Sequence, residues 1–251
     1  MDLQLNGKNV LVTGSSQGIG LAIATLLHTE GCNITLNGRN SDVLENACGF
    51  FHDRVHSCLA DVSKQDDSKK LVQSSIDKWG SIDILVCNVG NGTSVTPGNE
   101  NLKEWEKIFQ NNFNSTTNVI ESVLEKTSKA PSSIVCISSI AGIESLGAPV
   151  TYSVAKAAIN AYVKNMSRYL AKNGTRINAV APGNIMSETS VWKKKFNDDP
   201  KYVENMLKKE VPLERFGTPE EVSNLVGFLC SEKSSFITGS IFVIDGGQIH
   251  S

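Results

Sequence analysis

The six cysteines (Cys32, Cys48, Cys58, Cys87, Cys136, Cys230) contain no Cys-x-x-Cys pair, and the four histidines keep no ligand spacing with them. A zinc module and a dithiol redox motif are therefore excluded, and no metal is expected. Charge of neither sign dominates: Lys plus Arg number 24 and Asp plus Glu 26, for a net charge of -2. That balance lacks the basic footprint of a nucleic-acid binder. No apolar run is long enough to cross a bilayer. The first residues, MDLQLNGKNVLVTG, have no basic region followed by a long apolar stretch, so no secretion signal is read. Repeats, low-complexity tracts and linkers are missing too. Scattered cysteines in apolar runs read as buried free thiols in a reducing compartment, and the expected location is cytoplasmic.

What is present is a regular alternation. With 251 residues, 40% of them hydrophobic, the chain can bury one large core. Strand candidates are KNVLVT, NITLNG, VHSCLA, IDILVC, SIVCIS, TRINAVA and IFVIDG. Between them lie helical patterns, among them one continuous run from Leu102 to Lys126 and another containing TYSVAK. Alternating strands and helices imply right-handed βαβ crossovers and a parallel sheet covered on both faces. About 184–215 the rhythm breaks into a polar region with Pro200 and Pro212, which is expected to be irregular and to act as a substrate lid.

Thr13 to Gly20 (TGSSQGIG) follows the first strand and opens the first helix. In that context Gly14 permits a tight turn, Gly18 admits a pyrophosphate close to the backbone, and Gly20 lets the helix pack on the sheet. Ser16, Gln17 and Ile19 complete the turn, whose helix N-terminus offers N–H groups to phosphate. The expected fold is α/β: residues 1–251 as a single doubly wound Rossmann-type domain with a parallel seven-stranded sheet and an integrated lid. At the end of the second strand stands Asn37-Gly38-Arg39-Asn40. The acid that would hold ribose hydroxyls is missing, and Arg39 can pair a 2′-phosphate, which favours NADP(H) over NAD(H).

Tyr152 and Lys156 lie four residues apart on one helix, and so share a face. With the glycine turn, this Y-x-x-x-K resembles the short-chain dehydrogenase/reductase family over nearly the whole chain, and in particular its 3-oxoacyl-thioester-reductase-like members. Further residues carry the likeness. Asp61-Val62 matches the pair beside the adenine, and Cys87-Asn88-Val89-Gly90 stands for N-N-A-G. Asn112 matches the family's asparagine, and Ser139 lies thirteen residues before Tyr152. Pro182-Gly183 with Ile185 and Ser187 resembles the segment that holds the nicotinamide carboxamide. Cys87, Val89 and Gln17 depart from the pattern; NADP-using members often carry a basic residue where Gln17 stands. The resemblance implies an NAD(P)(H)-dependent oxidoreductase that interconverts a ketone and a secondary alcohol. In it Tyr152 is the general acid or base, and Lys156 lowers the phenol pKa and holds the nicotinamide ribose. Ser139 binds the substrate oxygen, and Asn112 holds a water linking Lys156 to solvent.

The substrate stays open. Glu144 is placed to meet a hydroxyl or amine, and Met186 and Trp192 offer an apolar face. Lys193-Lys194-Lys195 suits an anionic substrate or a plain solvated helix face. A 3-oxoacyl-[acyl-carrier-protein] reductase and a reductase of a sugar-derived ketone both fit. A cofactor-binding regulator without catalysis would be expected to lack Tyr152 or Lys156. A nucleotide-sugar epimerase would need a C-terminal substrate domain, for which the residues after the seventh strand leave no room. Apolar residues on more than one face of Leu102 to Lys126, together with the resemblance, imply a homotetramer, with a dimer through the long helices alone as the alternative.

Overall fold

A computed structural model describes residues 2–127 and 130–250. Seven parallel strands form one sheet in the order β3-β2-β1-β4-β5-β6-β7. They are β1 (Asn9–Val12), β2 (Asn33–Gly38), β3 (Val55–Leu59), β4 (Ile84–Cys87), β5 (Ser133–Ile137), β6 (Arg176–Pro182) and β7 (Ile241–Ile244). The central strands are apolar throughout because both of their faces are covered. Alternate side chains divide between two cores. Val10, Val12, Ile34, Leu36, Ile84, Val86, Val135 and Val180 face α1 (Gly18–Thr29), α2 (Ser41–Cys48) and α9 (Pro219–Cys230). Leu11, Leu85, Cys87, Ile134, Cys136, Ile177 and Ala179 face α3 (Gln65–Trp79), α5 (Ser115–Lys126) and α6 (Val150–Leu170). Each valine, leucine and isoleucine among them contributes about 1.5–3 kcal/mol by leaving water. All six cysteines are free thiols.

Strand order reverses at β1, which pairs with β2 on one side and β4 on the other. A crevice opens there, beyond the carboxyl ends of the strands. Thr13 ties its floor: its N–H donates to Val86 O, and its hydroxyl oxygen accepts from Asn88 N at 3.0 Å.

Two segments differ from the sequence reading. The run 102–126 is not one α-helix: α4 (Leu102–Phe109) passes into a π-turn, Gln110–Asn114, before α5. The Asn112 amide donates to Ile108 O at 3.1 Å, so a side chain takes the carbonyl that a regular turn would offer to the backbone N–H of residue 112. The region 184–215 is also more regular than expected. It holds α7 (Val191–Asp198) and α8 (Pro200–Glu210), capped by the side chains of Ser190 and Asp199, with Pro200 in the first turn. Val203, Met206, Leu207 and Val211 give these helices a small core of their own. No helix among the described residues is long and apolar enough to cross a membrane.

Candidate active site

The glycine turn lies at the crevice, and each glycine answers a contact. A Cβ on Gly20 would collide with the carbonyl of Gly14 and come within 2.5 Å of the Asn88 amide. Gly14 has φ +59, and a side chain there would press on Val89. Gly18, at φ +57, looks across a gap to Ser187 and Thr189, whose hydroxyls lie 3.6 and 3.8 Å from the position of a Cβ. Gln17 precedes α1 without a side-chain cap, so the first-turn N–H groups face the gap uncapped. A dinucleotide pyrophosphate fits this cradle: small residues line it and a helix dipole points into it. Ser16 sits beside Gly38 and Arg39 is exposed at the end of β2. Ile19 packs against the core below. Asp61 lies two residues beyond β3, and its carboxylate accepts from the N–H and hydroxyl of Ser63. Val62 is buried, so only its backbone can face an adenine. Pro182 and Gly183 close β6, Ile185 is buried, and the Gly183 N–H donates to Ile244 O.

At the other end of the crevice four predicted residues converge. Ser139 follows β5; its hydroxyl oxygen accepts from Ala141 N at 3.2 Å, and the hydroxyl is near enough to the Tyr152 phenol to influence its titration. Burial raises the Tyr152 pKa, and the nearby Ser139 hydroxyl draws it partly back. Lys156 is buried one turn on, and its ammonium donates to Ile137 O at 2.8 Å and lies 5.8 Å from the centre of the Tyr152 ring. Burial pulls its pKa down from 10.5 to about 8. Asn112 is wholly buried, and its Oδ1 accepts from Asn91 N at 2.8 Å. Gly90 is where the cluster meets: a Cβ there would be 2.8 Å from Lys156 Nζ and 3.0 Å from Asn112 Oδ1.

The substrate-side residues are less concentrated. The Glu144 carboxylate accepts from His250 N at 3.0 Å and so holds the C-terminal segment beside the pocket. Met186 donates its N–H to Gly217 O, and its sulfur accepts from the Ser190 hydroxyl. Trp192 is half-buried and packs against Phe216, with ring centroids 5.4 Å apart, on the small core of the α7–α8 segment. Lys193 pairs with Glu188, and Lys195 lies over the Trp192 ring. Among the described residues no group of three or more His, Cys, Asp or Glu side chains could hold a metal.

One residue of the cradle had no motif to announce it. Asn37, buried in β2, accepts from Gly14 N through Oδ1 and donates through its amide to Cys58 O and Ala60 O. It ties the phosphate turn to the end of β3 and to Ala60, the residue before Asp61. An amide side chain directly before the strand-ending Gly38 was the available signal.

Fold and cradle together define a dinucleotide-binding protein of the doubly wound class. A model of the enoyl-(acyl carrier protein) reductase family matches residues 14–248. The 3-oxoacyl-[acyl-carrier-protein] reductase of Chlamydia muridarum is 35% identical, over 99% of this chain and 100% of its own. Glucose 1-dehydrogenase 2 of Bacillus subtilis is 31% identical, over 97% of this chain and 95% of its own. The structure of L-sorbose reductase from Gluconobacter frateurii, complexed with NADPH and L-sorbose, superimposes with a TM-score of 0.92 at 28% identity, covering all of both chains. The chain belongs to the short-chain dehydrogenase/reductase family of oxidoreductases.

Proposed function

We propose that this protein interconverts a ketone and a secondary alcohol with NADP(H), through Ser139, Tyr152, Lys156 and Asn112. One observation carries the reading: Lys156 lies 5.8 Å from the centre of the Tyr152 ring and, with Asn112, crowds Gly90, beside the Ser139 hydroxyl at the end of the crevice the glycine turn opens. Gly14 to Gly20, Asn88, Gly90 and the 182–187 segment would hold the cofactor, with Asp61 and Val62 at its adenine end. When bound, the cofactor supplies or accepts the hydride. The Tyr152 hydroxyl gives its proton to the substrate oxygen in reduction and takes it back in oxidation. The Ser139 hydroxyl donates to the same oxygen as negative charge develops there. A phenol pKa near 7 requires about 4 kcal/mol of preference for the phenolate. Burial works against it, so the opposing positive charge is the Lys156 ammonium. Asn112 holds the 91 backbone and orders the polar group next to Lys156.

The substrate is a carbonyl compound, free or carrier-bound. The polar loop at 91–94 and Glu144 suit a hydroxylated ketone, whereas the similarity to acyl-carrier-protein reductases suits a 3-oxoacyl thioester. Loss of NADPH absorbance with acetoacetyl thioester, L-sorbose and a panel of simple ketones decides between them. Tyr152→Phe should fold, bind NADPH and lose about 10²–10⁴-fold in turnover; near-normal turnover in that variant refutes the mechanism. A homotetramer is part of the same proposal. Leu102 on α4 and Val150, Val154 and Tyr169 on α6 are exposed apolar side chains that a partner would cover. Light scattering giving the mass of one or two chains refutes it.

A further inference from the structure

The loop after Gly90 is strapped to the helix that carries Tyr152. Ser94 Oγ lies 2.7 Å from the hydroxyl of Thr151, the neighbour of Tyr152, and donates to Glu104 Oε1 at 3.0 Å. Thr151 is fully buried, and the Glu104 side chain is 14% exposed. A carboxylate only accepts, so the direction of the chain is set: Ser94 spends its proton on Glu104, and Thr151 donates to Ser94. Glu104 is itself placed by the start of α4, where Asn101 caps its N–H and Lys107 pairs with it. The strap has a second anchor at Asn91, three residues before Ser94: its backbone N–H donates to Asn112 Oδ1 and its carbonyl accepts from the Asn112 amide nitrogen. Between the anchors, Gly92 lies on the face of the Tyr152 ring, with the ring carbons 3.8–4.0 Å from the position of its Cβ.

We propose that Ser94, held between Thr151 and Glu104, is a positioning residue for Tyr152: it presses the Gly92 backbone onto the phenol ring and fixes the side from which substrate approaches. A hydroxyl is needed because Ser94 must accept from Thr151 and donate to Glu104 at once, which no apolar side chain can do. Without it the buried Thr151 hydroxyl loses its partner and the strap loses one anchor. The Asn91 anchor keeps the loop near the site, so the expected defect is a loosened ring and not an unfolded protein.

The test labels the protein with 3-fluorotyrosine, assigns Tyr152 among the four tyrosines through Tyr152→Phe, and reads its ¹⁹F resonance in Ser94→Ala and Ser94→Thr, with and without NADPH. Ser94→Ala is expected to shift or broaden the Tyr152 signal and leave those of Tyr162, Tyr169 and Tyr202 in place; Ser94→Thr, which keeps the hydroxyl, is expected to restore it. The kinetic arm rests on the ketone–alcohol reading above. On any ketone the wild type reduces, kcat/KM should fall about tenfold in Ser94→Ala while the Kd for NADPH stays within about twofold. Glu104→Ala, which removes the acceptor from the far side, should move the same resonance and serves if Ser94→Ala fails to fold. An unmoved Tyr152 signal in Ser94→Ala, or a Ser94→Thr signal as displaced as that of alanine, overturns the proposal. If the wild type reduces none of the ketones, the functional reading falls and the resonance still decides the strap.

Discussion

Lys156 Nζ donates at 2.8 Å to the carbonyl of Ile137, one strand-end away from the phenol it is expected to serve. Its ammonium is thus buried on a single neutral acceptor, and its pKa falls to about 8 from 10.5. In the unfolded chain the proton is held up to the ordinary value. The cost of burying the charge is therefore fully present below about pH 8 and is relieved as pH rises towards 10.5. Relative to Lys156→Met, which carries no charge, the wild type should gain about 2–3 kcal/mol of stability between about pH 7 and about pH 10. Urea unfolding of both proteins at the two pH values measures this; a gap that fails to change shows that the ammonium is not desolvated.

Gly90 should tolerate no methyl group without loss of chemistry. A Cβ there meets the flexible end of Lys156 at 2.8 Å and the fixed carbonyl oxygen of Asn112 at 3.0 Å. The lysine can swing away, so Gly90→Ala should fold, yet with its ammonium displaced. We expect turnover to drop at least about tenfold with a melting temperature near that of the wild type. Gly20→Ala makes the contrast, because its clash is with the backbone of Gly14 and should cost cofactor binding and stability together. Calorimetry with NADPH and thermal melts separate the two; equal losses of stability would contradict the distinction.

Asn37→Ala removes three hydrogen bonds in the core of the sheet and leaves Gly14 N, Cys58 O and Ala60 O without that partner. A buried group left unpaired costs about 1–3 kcal/mol. We expect a loss of stability in that range or above, and weaker NADPH binding because the turn at Gly14 is no longer tied to β2. Denaturant titration and NADPH fluorescence check it; unchanged NADPH affinity would mean that the turn holds its shape without the tie.

Arg39 stands exposed at the end of β2, next to Gly38, which packs on Ser16. As a fork for a 2′-phosphate it should contribute about 1.5–3 kcal/mol to NADPH binding. Arg39→Ala should then lose roughly 10- to 150-fold in NADPH affinity and almost nothing in NADH affinity. Tighter binding of NADH than of NADPH by the wild type contradicts the preference.

The strands and most helices were legible because their periodicity is a local property. Ile84-Leu85-Val86-Cys87 can only be a strand buried on both faces, and TGSSQGIG between a strand and a helix can only be a close-packed turn. Family spacing carried Ser139, Tyr152 and Lys156 to one place before any coordinates did. Other features were out of reach. The π-turn at Asn112 arises because an amide competes for the carbonyl of Ile108, a choice that hydrophobic pattern does not encode. Helices α7 and α8 were hidden in a polar stretch, since they bury their side chains mainly against each other and not against the sheet. The partners of Ser94, Asn37 and Glu144 lie 57, 23 and 106 residues away, and only the tertiary structure decides which polar groups meet over such separations. The amino-acid pattern determined the sheet, the turn and the chemical types available. The close approach of those types, and with it the burial that displaces the Lys156 pKa, was decided by packing alone.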